Sequence, residues 1–75
     1  MDNKRRIRLT ADTAKDFVRA ASKCEFDIDV FYNRVIIDAK SILGVLSLDL
    51  NRELTVCYNG EDPHFESVLA KYSVA

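Results

Sequence analysis

Polar and apolar residues alternate around Ile7 and Leu9, which stand among Arg6, Arg8 and Thr10. Successive side chains of a strand point to opposite faces, so this period of two predicts a half-buried first strand running from Arg6 to Thr10. The period then lengthens. Ala14, Phe17, Val18 and Ala21 fall at i, i+3, i+4 and i+7, with Lys15, Asp16, Arg19 and Ser22 on the other face, the stripe of an amphipathic helix. Thr13 followed by Asp16 fits a capping box at its start, and Asp12 is a competing N-cap. Phe26, Ile28 and Val30 alternate with Asp27, Asp29 and Phe31, predicting a second strand that ends at Tyr32. Asn33-Arg34 then turns the chain into a return strand, Val35-Ile36-Ile37-Asp38. Asn accepts a positive φ, but Arg is a poor second residue for a type I′ turn, which leaves the turn type open.

Between Ser41 and Leu48 the apolar residues Ile42, Leu43, Val45, Leu46 and Leu48 surround nearly the whole circumference of a short helix, with Ser41 as its N-cap. A helix this short cannot bury them all. Leu54, Val56 and Tyr58 alternate with Thr55 and Cys57 as a fourth strand, ended by Asn59-Gly60. Asp62 as N-cap, Pro63 in the first turn, and Phe65, Val68, Leu69 and Tyr72 at helical spacing define a last helix. The order is β-α-β-β-α-β-α. Such elements predict an α+β, open-faced sandwich: a four-stranded antiparallel sheet with three helices on one face and the other face wet. The expected core is Ile7, Leu9, Phe17, Val18, Ile28, Val30, Val45, Leu48, Val56, Phe65 and Leu69. Residues 1–75 read as a single domain, since 75 residues leave room for only one core.

Charge removes some functions. Eleven Lys and Arg against twelve Asp and Glu give a net charge of -1, so no basic field draws in nucleic acid or an anionic membrane. The one basic cluster, Lys4-Arg5-Arg6 with Arg8 beyond it, reads as solvated charge at the chain end and on an edge strand, with a contact for an acidic partner as the alternative. Cys24 and Cys57 stand in no metal-ligand spacing, and neither an 18-residue apolar run nor a signal-peptide core is present. The expectation is a cytoplasmic chain with reduced thiols. His64, the one histidine, reads as a solvated residue of the last helix. Asp27 and Asp29 point to one face of their strand, opposite Ile28, and read as solvent-facing. No nucleophile–base pair, phosphate loop or metal motif is present, so no catalytic residue, metal or cofactor is expected.

The segment Asp38-Ala39-Lys40-Ser41-Ile42-Leu43-Gly44-Val45-Leu46-Ser47-Leu48 closely resembles the regulatory-serine region of the HPr family, the small phosphocarriers of the bacterial sugar phosphotransferase system. Val18-Arg19-Ala20-Ala21-Ser22-Lys23 resembles the end of that family's first helix. Glu53 to Val56 and Asn59-Gly60-Glu61-Asp62 resemble its fourth strand and the approach to its last helix. The family carries Gly-aliphatic-His-Ala-Arg-Pro-Ala between its first strand and first helix, where the His accepts a phosphoryl group and the Arg steadies it. Here the junction is Leu9-Thr10-Ala11-Asp12-Thr13-Ala14. Counted back from the matched helix, Thr10 falls at the His position, Asp12 at the Arg position and Thr13 at the Pro position. Phosphoryl transfer needs an imidazole and cationic or N–H donors for the moving oxygens. Thr10 has no imidazole, and Asp12 puts negative charge where the family has positive.

The resemblance further implies that Ser41 is a site of regulatory phosphorylation and that Lys40, Ile42, Leu43 and Leu46 form a docking patch for protein partners, with Val45 and Leu48 facing the core. A phosphate at a helix N-terminus meets free N–H groups and the favourable dipole end. A plain N-cap role explains the same serine, and burial against a chain end is the competing role for the patch. Three functions follow. The first is a protein-binding or regulatory module of the phosphotransferase-system family, not an enzyme and not a competent phosphohistidine carrier. The second is a working phosphocarrier. The third is nucleic-acid binding on the open sheet face, since the element order also resembles ferredoxin-like RNA-binding domains. Those stack bases on aromatics of central strands, which Arg6–Thr10 and Val35–Asp38 lack.

Overall fold

A computed structural model describes residues 3–74. The chain runs β1 (Asn3–Ile7), α1 (Ala11–Ser22), β2 (Ile28–Tyr32), β3 (Val35–Asp38), α2 (Ile42–Leu46), β4 (Leu54–Tyr58) and α3 (Pro63–Tyr72). The strands form one sheet in the order β1-β4-β2-β3, and every pairing is antiparallel. The fourth strand is thus inserted between the first and second, so β1 and β2 are parallel to each other without touching. β1 and β3 are the edges.

Register sorts the side chains into two faces. Arg5, Val56, Val30 and Ile37 lie across the sheet on the helix side, beside the Ile7–Leu54 pair. Two rows lie on the open side: Lys4, Cys57, Asp29, Asp38 and then Arg6, Thr55, Phe31, Ile36. All eleven expected core residues are buried, joined by Ala14, Ala20, Ala21, Cys24, Ala39, Leu54, Tyr58 and Val68. Three aromatic rings meet in the centre: Phe65 stands edge-on to Tyr58 at 5.3 Å and tilted to Phe17 at 6.0 Å. Phe26 stacks on Tyr58 as well, at 6.0 Å.

Several boundaries differ from expectation. The first strand ends at Ile7 rather than Thr10. Leu9 is nevertheless buried, because it precedes the N-cap of α1 and reaches the core as Ala14 does from the fourth helical position, the arrangement of a hydrophobic staple. The cap of α1 is Thr10, not Asp12 or Thr13. Its hydroxyl accepts from Thr13 N at 3.2 Å while its own N–H donates to Thr13 Oγ1 at 2.7 Å, a capping box closed by two threonines. The second strand begins at Ile28 rather than Phe26. In the hairpin, Asn33 has φ 54° and is the one non-glycine residue with positive φ among those described. A type I′ turn needs positive φ at both central residues and is therefore excluded. Asp62 caps α3 as expected, accepting from Phe65 N at 3.0 Å, and that bond holds its carboxyl below the usual range.

Tyr58 packs its ring in the core and donates its hydroxyl to Glu66, which also pairs with Arg5 at 3.1 Å. Burial first, and the Glu66 carboxylate second, push the phenol up from 10.0 to about 12. The folded chain therefore holds this proton more tightly than the unfolded chain does. The resulting stability is fully present below about pH 10 and is lost as pH rises through about 12. Thermal melts across that window should fall more steeply for the wild type than for Tyr58→Phe, and parallel slopes would assign the alkaline loss to another group.

Candidate functional site

Two places carry the chemistry suggested by the sequence. The first is the β1–α1 junction, Arg8 to Thr10. Arg8 N donates to Tyr72 O at 2.9 Å and Val74 N to Arg6 O at 2.9 Å, which ties the junction to the end of α3. Thr10 is exposed, but its hydroxyl is engaged with the N–H and hydroxyl of Thr13. Asp12 is exposed in the first turn of α1 and places a carboxylate at the one spot where the helix N-terminus would attract an anion. His64 is exposed in the first turn of α3, at the end opposite Tyr72. At 1.5 Å per residue, roughly 12 Å of helix separates it from the junction.

The second place is the turn into α2. Lys40 N donates to Asp38 Oδ1 at 2.9 Å and Ser41 N to Asp38 O at 3.0 Å, which closes the turn after β3. Ser41 is exposed and extended (φ -100°, ψ 107°), and its hydroxyl accepts from Gly44 N at 3.1 Å. Ile42 and Leu43 hold the first two helical positions, whose N–H groups have no intrahelical acceptor. Gly44 lets the helix lie close to the sheet: a Cβ there would come within 2.7 Å of Ile37 Cγ2.

The docking patch implied by the resemblance is only partly assembled. Leu43 is 81% exposed and Leu46 38%. Ile42, expected in the patch, is instead half-buried against the core, since the first turn of so short a helix leans on the sheet it caps. Lys40 does not stand free at the rim either. Its ammonium donates to Cys24 O at 2.9 Å, bracing the end of α1. Cys24 and Cys57 are both buried free thiols, and burial, followed by the charge of Asp62, raises the pKa of Cys24.

Val35 and Ile36, outside the expected docking patch, are both well exposed on β3. Their signal was the apolar triplet Val35-Ile36-Ile37 itself, which breaks alternation and cannot all face one side. On the open face, the register places Phe31 as the one aromatic among the described residues, flanked by Asp29 and Asp38. An absence of aromatics on the first and third strands counts against base stacking only if those strands are central. They are the edges, and the element order shared with ferredoxin-like domains does not extend to strand order. The two rows of the open face carry Lys4 and Arg6 against Asp29 and Asp38, so no net basic field is there to hold a nucleic-acid backbone. Among the described residues no helix is long and apolar enough to cross a membrane, and no cluster of three or more metal-binding side chains occurs.

The family model for the PTS HPr component phosphorylation site matches residues 4–71. Among solved structures, the chain is similar to the phosphocarrier protein HPr from Bacillus anthracis, with 26% identity and a TM-score of 0.72 over 93% of this chain and 95% of that one. It also shares its fold with Crh from Bacillus subtilis, with 24% identity and a TM-score of 0.64 over 100% of this chain and 92% of that one. That protein is described as an intertwined dimer with a swapped domain.

Proposed function

The chain belongs to the HPr family of the phosphotransferase system, and from that premise we propose that it is a protein-binding regulatory module that does not carry phosphohistidine. The junction supports this most directly. Its hydroxyl-bearing Thr10 is spent on a helix cap, and Asp12 would repel an incoming phosphoryl group where catalysis needs positive charge. The retained α2 turn supports the other half of the reading: Ser41 is exposed at a helix start beside Leu43 and Leu46, so its charge state is within reach of anything bound to those leucines.

Incubation with enzyme I and phosphoenolpyruvate is expected to leave the chain unmodified. A stoichiometric, acid-labile phosphate would overturn the reading in favour of a working carrier.

The Ser41 half is tested separately. Ser41→Ala should lose a cap, costing about 0.5–2 kcal/mol. Ser41→Asp, or better a phosphorylated Ser41, should keep the fold, because negative charge at a helix N-terminus stabilises it by about 0.3–1 kcal/mol. Isothermal titration of a partner against the three forms should show an altered affinity for the charged ones. Equal affinities would make Ser41 a cap and nothing more.

A further inference from the structure

The two edges of the sheet are built differently. Edge β1 carries Lys4, Arg5 and Arg6, and beyond it Arg6 O and Arg8 N are taken up by Val74 and Tyr72. Edge β3 carries Val35-Ile36-Ile37-Asp38 and no such guard. In an antiparallel ladder, alternate residues bond the neighbouring strand. Ala39 N donates to Ile28 O, so residues 39, 37 and 35 turn towards β2, and the backbone groups of Ile36 and Asp38 turn outward. Ile36 is 58% exposed and Val35 45%. With Leu43 and Leu46 they are the exposed large apolar side chains among the described residues, and all four lie on β3 or on α2, which packs against it. An unguarded apolar edge is a template for another strand.

We propose that β3 pairs antiparallel with β3 of a second copy of this chain, about a twofold axis at Ile36. In that register the outward N–H and C=O of Ile36 bond their own counterparts. Ile36 meets Ile36 on the open face, and Val35 stands opposite Ile37 on the helix face. Arg34 stands opposite Asp38, and symmetry makes that pair twice. Neither residue takes part in an ion pair among the described residues of the single chain. Backbone parity also permits registers shifted by two residues, and charge selects among them. An axis at Ile37 would set Arg34 against Lys40 and Ile36 against Asp38, whereas an axis at Val35 would set Arg34 against Ile36. Opposite charges facing each other favour a cross-strand pair and like charges oppose it. The strand is self-complementary in one register, which is why a second copy fits it better than an unrelated strand.

Sedimentation equilibrium from about 10 μM to about 1 mM should show a monomer–dimer equilibrium. Ile36→Lys, a change at an exposed position that places two ammonium groups on the axis, should abolish the dimer while leaving the circular dichroism spectrum intact. Arg34→Asp and Arg34→Glu should each weaken dimerisation about tenfold by facing Asp38, and the double variant that adds Asp38→Asn, which keeps the Oδ1 acceptor for Lys40 N, should restore it to within about threefold. A monomer throughout the range overturns the proposal. So does a dimer indifferent to Ile36→Lys, as an exchange of whole elements would be, or a double variant as weak as the single ones.

Discussion

Phe65→Ala is expected to remove about half of the chain's stability at 25 °C. Phe65 is fully buried on α3 and touches two other rings, Tyr58 of β4 and Phe17 of α1. Its removal therefore opens a cavity where a strand and two helices meet, a loss of about 3–5 kcal/mol for a Phe→Ala change. A domain of this length has about 4–11 kcal/mol in total, at about 0.05–0.15 per residue. The surrounding elements have little freedom to collapse, because the cavity is walled by two aromatic rings on different elements. Urea titration followed by far-UV circular dichroism should place the Phe65→Ala midpoint at about half the wild-type urea concentration. Phe65→Leu keeps most of the volume and should remain folded. A Phe65→Ala midpoint equal to that of the wild type would mean that the three rings do not hold the layers together.

Gly60→Ala is the second large effect. Gly60 follows β4, and a Cβ there would meet three ring atoms of Phe26 at 2.3–2.7 Å. Such distances force something to move. The ring's movement is opposed by its stacking on Tyr58, and Gly60 O accepts from Asn3 Nδ2 at 3.3 Å, holding the backbone in turn. Overpacking of this kind costs about 1–3 kcal/mol. Removing the obstacle should recover it. In a double-mutant cycle, Phe26→Leu alone should destabilise modestly, while adding Gly60→Ala in that background should cost far less than in the wild type. Additive costs would place the clash elsewhere.

Periodicity revealed the core because burial here follows side-chain alternation and helical stripes: Ile7, Phe17, Val30, Val56 and Leu69 are all inside. Residues whose burial depends on a neighbour's placement were harder to see. Leu9 lies outside any strand and is buried through the cap that follows it. That cap escapes local patterning because a capping box ordinarily reads as Ser or Thr followed by Glu or Gln three residues on, whereas here the second threonine returns the bond. Strand order was invisible to local patterning, since β4 enters between β1 and β2 only in three dimensions. At the Ser41 turn, the N-cap geometry was readable from Ser41 and Gly44. Which of Ile42, Leu43 and Leu46 faces solvent depended on how α2 leans on Ile37.

The position of β1 at one edge shapes how the chain folds as well as what it becomes. The β2–β3 hairpin needs only the short excursion through Asn33-Arg34 to form, whereas β1 finds its strand partner between Leu54 and Tyr58, after most of the chain has been made. Closing so wide a loop costs entropy before any contact rewards it, and non-local pairing of this sort slows two-state folding. Three strands can therefore assemble around the hairpin while β1 and α1 are still searching, with the edge of β4 open until they arrive. Lys4, Arg5 and Arg6 put three positive charges on that late strand, and like charges oppose its pairing with the same strand of another molecule while it waits.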